Sequence, residues 1–185
     1  MIHHIDVSRV LRNVCDLYSN LVTRPTGAAV RAEIELQLAD MRGRTLTVID
    51  FTHVGLLDFS CADEVVAKLA LRYCTRVPDE DHDAYFVLKG MHESHEEAVE
   101  TVLARYGLAL VMTGSGGHSE VVGVMNDSER RAWREVRDLG MASATVLSRS
   151  LAISLGDAER LLEALRERRL VVRVEEGYTS VGALL

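Results

Sequence analysis

Asp50, Asp58 and Ser60 fall within one short stretch, and two further acids follow at Asp63 and Glu64. Two aspartates around one loop can act as general acid and base. At the end of a strand they more often cap or position the loop. Ser60-x-x-Asp63 before an apolar run is a capping-box pattern, contributing on the order of 1 kcal/mol to a helix start. The same place suits a phosphate, which free N–H groups and the helix macrodipole favour. A phosphoserine of about −2 charge there would also be repelled by Asp58, Asp63 and Glu64.

His92-x-x-His95, with Glu93, Glu96 and Glu97 around it, is the metal candidate, since i,i+3 histidines share a helix face. A third ligand would have to come from elsewhere, such as His82 or Asp83. The face runs on into Val99, Val102, Leu103 and Tyr106, so the rings are read as topping an apolar stripe. Gly114-Ser115-Gly116-Gly117-His118 joins two strand-like segments and lacks the helix and Lys-Ser/Thr of a phosphate-binding loop. Ser60 and Ser115 have no GxSxG elbow. Cys15, Cys61 and Cys74 form no CxxC and sit among apolar residues, as free buried thiols do. The expectation is a non-enzymatic protein without cofactor or metal; a small hydrolytic or metal-dependent enzyme is the alternative without a motif.

These residues need elements to hold them. Ser8 to about Leu21 shows a 3.6 period, with Ser8 as cap, and Arg24-Pro25-Thr26-Gly27 breaks it. Ala28 to Met41 resumes helical spacing. Thr45 to Phe51 is short, β-branched and apolar, a strand covered on both faces. Ser60 to Tyr73 predicts a helix, followed by the acidic loop 78–83 and a strand at Ala84–Leu88. A helix over Glu93–Tyr106 and strands at Leu108–Met112 and Val121–Val124 complete an α/β layer with a largely parallel sheet. Beyond Met125 the rhythm changes to three helices, at Asp127–Leu139, after Ser143 and after Ser154. A strand–turn–strand over Leu170–Val181 follows, the order of a winged helix-turn-helix. Two domains are expected, 1–125 and 126–185.

The stretch VIDFTHVGLLDFSCADEVVAKL (48–69) resembles the STAS domain of anti-sigma-factor antagonists. It is more similar still to STAS-like domains of unknown function, through Ile49-Asp50-Phe51-Thr52-His53-Val54 and Ser60-Cys61-Ala62-Asp63-Glu64. That resemblance implies a protein partner, such as a kinase or an anti-sigma-like regulator. It also implies a phosphorylation switch at Ser60, with Asp50, Asp58, Ser60, Asp63 and Glu64 as the contact surface. Phe59 and Cys61-Ala62 stand where the family has small Ser and Gly. Residues 126–185 resemble the winged helices of bacterial regulators, through Ala158–Leu165 ahead of Arg169-Leu170-Val171. This implies DNA binding, with Arg160, Arg166, Arg168 and Arg173 as candidate contacts.

Charge weighs against that last implication. Of 185 residues, 21 are Lys or Arg and 28 Asp or Glu, a net charge of −7. Residues 1–125 hold 11 basic and 18 acidic residues, whereas 126–185 hold 10 of each. An acidic surface repels nucleic acid and anionic lipid. The outward face of the third C-terminal helix carries Gly156, Glu159, Arg160, Glu163 and Glu167, a poor surface to lay on phosphates. Arg130, Arg131, Arg134 and Arg137 make a basic stripe that pairing with Glu135 and Asp138 would absorb. No run of about 18 apolar residues spans a bilayer, and Met1–Asp6 lacks the basic and apolar segments of a leader. The expectation is a cytoplasmic regulatory protein that binds a protein partner, with homodimerisation open. A DNA-binding transcription regulator with a STAS-like sensing domain is the runner-up.

Overall fold

The computed structural model describes residues 1–15, 20–39, 41–74, 82–114 and 116–185. Up to residue 125 its elements are β1 (Ile2–Asp6), α1 (Val7–Val14), α2 (Arg24–Leu38), β2 (Gly43–Asp50), α3 (Phe59–Ala62), a π-helical segment (Asp63–Ala67), α4 (Lys68–Cys74), β3 (His82–Lys89), α5 (Glu93–Arg105), β4 (Ala109–Thr113) and β5 (Ser119–Gly123). α3, the π-helical segment and α4 run on as one helix. Then come α6 (Asp127–Leu139), α7 (Ala144–Leu151), α8 (Leu155–Glu167), the hairpin β6 (Val171–Val174) and β7 (Gly177–Ser180), and a short 3-10 turn at Val181–Leu184.

The strands lie in the order β1-β2-β3-β4-β5, the first four parallel and β5 antiparallel on β4. The fold is therefore α/β with a mixed, mostly parallel sheet. Parallel neighbours in chain order need crossovers of one hand, which places successive helices on the same face. The core follows that rule. Ile5, Ile49, Phe86, Leu88, Leu110 and Val122 point into one cluster with α1, α2, the α3–α4 helix and α5. With a side-chain period of two, Leu46, Tyr85, Val87, Ala109 and Val111 point the opposite way. They share a second cluster with Trp133, Val136, Leu147, Leu162, Leu165, Leu170 and Val181. The C-terminal helices and hairpin thus cover the face that the crossovers leave bare.

That seam also holds charge. Arg169 is 1% exposed, in left-handed backbone (φ 61°), with its guanidinium over the Tyr85 ring (5.4 Å) and 3.0 Å from Asp83. Asp83 also accepts from Arg44 Nε (3.0 Å) and the Tyr85 hydroxyl (3.2 Å). The Trp133 indole N–H donates to the Leu170 carbonyl (3.2 Å).

Several boundaries differ from expectation. β1 has only Ile2 and Ile5 as apolar residues, and its parallel pairing with β2 makes it a strand. α1 is capped by Asp6, not Ser8: Asp6 accepts the Arg9 N–H (3.1 Å) and the Ser8 hydroxyl (2.7 Å). α1 ends at Val14, residues 16–19 lie outside the described residues, and Leu21 pairs as a bridge with Leu57. Arg24-Pro25-Thr26-Gly27 does not break a helix but opens α2, with Thr23 as cap and Pro25 in the first turn, where its missing N–H costs nothing. Most of the acidic loop 78–83, and Ser115, also lie outside the described residues.

Candidate functional site

The C-terminal ends of parallel strands are where α/β folds place their sites. Here register aligns Asp6, Asp50, Lys89 and Thr113 across that edge. Each polar group is engaged locally. Asp50 accepts the Thr52 N–H (2.8 Å) and hydroxyl (2.5 Å) and lies 3.5 Å from Lys89 Nζ. Burial pushes its carboxyl up, but the Thr52 and Lys89 contacts prevail and hold it below the ordinary range. Asp50 and Asp58 are not an acid–base pair; each is committed to its own turn.

The loop after β2 is pinned from several sides. Phe51, Val54 and Leu57 are buried, and Phe51 N–H donates to the Lys89 carbonyl (2.8 Å). Gly90 follows β3 at φ 69°, and a Cβ there would sit 2.1 Å from Thr52 Oγ1. From the other side, His95 is fully buried with Nε2 3.1 Å from the Gly55 carbonyl, and Nδ1 accepts the His92 N–H (3.4 Å). Burial, with His92 beside it, keeps His95 below its ordinary pKa, despite the Gly55 carbonyl. Both nitrogens of His95 are thus occupied by the loop and the helix start. Among the described residues no three His, Cys, Asp or Glu side chains converge as a metal set; His82's side chain lies outside them, and Asp83 is in the seam.

At the head of α3 the cap is Asp58 rather than Ser60. Asp58 accepts the Cys61 N–H (2.8 Å) and the Ser60 hydroxyl (2.9 and 3.2 Å). Burial opposes these hydrogen bonds, yet they hold the carboxyl below its ordinary range. Ser60 sits inside the first turn, half-buried. The Cys61 thiol donates to the Thr23 carbonyl (3.0 Å), and burial beside Asp58 pushes it up to about 11. Cys74 is raised to about 12 by burial. Neither is a thiolate at neutral pH.

Asp63 and Glu64 are not on the surface. All five residues of the π-helical segment are buried, because the helix is wedged between α2, α5 and the sheet. The two acids are met by cations from α2 and from their own helix, and by a hydroxyl from the end of α5. Arg24 donates to Asp63 (2.8 Å) and Glu64 (2.7 Å), and Arg31 donates to Glu64 (3.2 Å). Lys68 pairs with Glu64, and the Tyr106 hydroxyl donates to Asp63 (3.0 Å). Burial raises both carboxyls, and these partners more than reverse it. A local signal for this existed: two acids inside the apolar stripe Ala62, Val65, Val66, Leu69 demand buried partners. Which partners could not be read locally.

Beside the exposed polar residues Thr23, Arg24, Thr52 and His53, this end leaves three large apolar side chains outward. Leu56 is 55% exposed, Phe59 50% and Val22 47%. Leu21 runs beside the loop, its N–H donating to Leu56 (2.8 Å) and its carbonyl accepting from Asp58 (2.9 Å), so the three side chains belong to adjoining segments.

On the C-terminal side, Arg160 pairs with Asp157 and Arg166 with Glu163. Arg168 reaches Glu129 (2.7 Å) and the Val124 carbonyl. Arg173 is exposed in β6, next to the Glu175-Glu176 turn. No family model and no curated protein matches the chain.

Proposed function

We propose that the chain is a non-catalytic regulatory module, STAS-like in its first part, that binds a protein partner through the head of α3. Residues 126–185 would serve as a winged-helix output module. The observation that carries this reading is the division of labour at that end. Asp50, Asp58, Asp63 and Glu64 are spent on internal hydrogen bonds and ion pairs, while Leu56, on the loop that Gly90 and His95 pin, Phe59 at the start of α3 and Val22 on the adjoining segment stand half-exposed. A surface with exposed apolar anchors, whose four acids are all engaged internally, suits docking.

Ser60 would be the switch. Its hydroxyl donates to Asp58, and phosphorylation replaces that donor with about two negative charges against the same carboxylate. The cap would have to open, and Phe59 would move with it. The test is affinity capture from the native host with wild-type, Leu56→Asp/Phe59→Ala, Ser60→Ala and Ser60→Asp chains, alongside mapping of phosphosites. A partner held by wild type and Ser60→Ala, and lost with the other two, is the expected pattern. Equal capture by all four chains, with Ser60 unmodified, contradicts both the surface and the switch.

A further inference from the structure

Strand β5 is an edge of the sheet, and the two helices beside it carry opposite charge. On one side α6 presents Arg130, Arg134 and Arg137 at i, i+4 and i+7, a single stripe. Arg137 donates to the Ser119 carbonyl (3.1 Å) and stacks over Trp133 (5.4 Å). A cleft of about 80 Å³ between α6 and β5 is lined by Arg130, Arg134, Arg137, Trp133, Glu120 and Val121. Asp138 takes up the Arg137 end of the stripe, as the sequence suggested, whereas Glu135 accepts from Ser150 and leaves Arg130 and Arg134. Among the described residues Arg130 and Arg134 enter no ion pair.

On the other side α5 carries Glu93, Glu96 and Glu100, again one stripe. Burial, then Glu120, Glu93 and Glu100, raise the Glu96 carboxyl, so these charges crowd one another along β5. Among the described residues none of the α5 glutamates has a cation partner, and Glu120 pairs with His118 (3.4 Å). Each stripe spans seven residues, about 10 Å of helix. The sheet keeps the two apart within one chain.

The strand between them has free backbone. Gly114 N–H donates to His118 and Val124 N–H to Leu108, which turns the even-numbered residues of β5 toward β4. The Val121 N–H and carbonyl therefore face away from the sheet, at an edge that no further strand of the described residues covers.

We propose that the chain self-associates along β5, as a two-fold pair whose sheets lie edge to edge with faces reversed; this operator sets the two β5 strands parallel with like residues level, so the side chains of the flanking helices hold the pair and not a shared backbone ladder. Each copy's α5 glutamates then meet the other's α6 arginines. A two-fold that kept the faces aligned would set glutamate on glutamate. An acidic peptide or a nucleic acid would satisfy the arginines but meet the glutamates beside them. Only a second copy answers both stripes at once, with equal lengths and one operator. This inference is independent of the surface at α3.

Sedimentation equilibrium on the full chain at about 50 mM and about 500 mM salt tests it. Wild type is expected to dimerise at low salt and dissociate as salt rises. Arg130→Glu/Arg134→Glu and Glu96→Lys/Glu100→Lys should each weaken dimerisation by about tenfold or more, with unchanged circular dichroism. Mixed one to one, they should dimerise again, because each reversed stripe then faces its complement. A wild-type monomer at about 100 μM in low salt overturns the proposal, as does a mixture that stays monomeric. So does salt-sensitive binding of a random DNA duplex by a monomer, abolished by Arg130→Glu/Arg134→Glu, which would give the arginines to nucleic acid.

Discussion

Replacing Asp58 by Ala removes the acceptor of the Cys61 N–H and of the Ser60 hydroxyl together. Thermal unfolding should show a loss of about 1 kcal/mol, the usual weight of an N-cap, while Ser60→Ala should cost less because the N–H bond survives. Arg24→Ala is a harsher change, since it strips a donor from two carboxylates that are nearly sealed from water. About 2 kcal/mol is expected, below the range for fully buried pairs, because Arg24 itself is half-exposed and Lys68 and Arg31 remain on Glu64. The pH response follows from the same contacts. Asp58, Asp63 and Glu64 release protons more readily folded than unfolded. Their stabilisation is present above the ordinary carboxylate range and is lost as pH falls through it and below. His95 acts earlier. Its folded pKa is depressed, so the unfolded chain takes up the proton first, and stability should begin to fall as pH drops below about 6.5. Urea titrations between about pH 7.5 and 5.5 should show that decline, and His95→Gln should flatten it.

The loop between β2 and α3 depends on a glycine in another element. Gly90→Ala must place a Cβ on Thr52 from a left-handed backbone, and a cost of about 2 kcal/mol or more is expected. Chemical denaturation would measure it, and limited proteolysis near residue 55 should speed up. At this scale much of the chain was legible. α6, α7 and α8 and the hairpin follow from caps and apolar spacing, and Ser154 does cap α8 through the Asp157 N–H (3.0 Å). β2 announced itself as a β-branched apolar run, and β3 and β4 as short apolar runs. β1 did not, because a strand with two histidines and an aspartate is stabilised by its neighbour and not by its own pattern. The site was legible in position but not in role. Asp58 and Ser60 are where their spacing put them, yet which one caps depends on where the helix starts. Asp63 and Glu64 looked like surface acids because their partners sit on α2 and beyond α5, far away in sequence.

Across the whole molecule, the seam between the sheet and the C-terminal elements decides whether the chain is one object. Asp83→Ala would take the Asp83 carboxylate away from the Arg169 charge sealed beneath Tyr85. A loss of about 3 kcal/mol is expected. The double variant Asp83→Ala/Arg169→Met should be less damaged than Asp83→Ala alone, a non-additivity readable in a denaturation cycle. A chain cut after Met125 would bare Tyr85, Val87, Ala109 and Val111, and dye binding or insolubility should report it.

Because every crossover helix lies on one side of the sheet, the underside stays greasy until Trp133, Leu162, Leu170 and Val181 have been synthesised to cover it. On the ribosome this is a window of vulnerability, in which the nascent chain depends on holdases or on speed. A pause in translation between the two parts would cost more yield than a pause of the same length anywhere later.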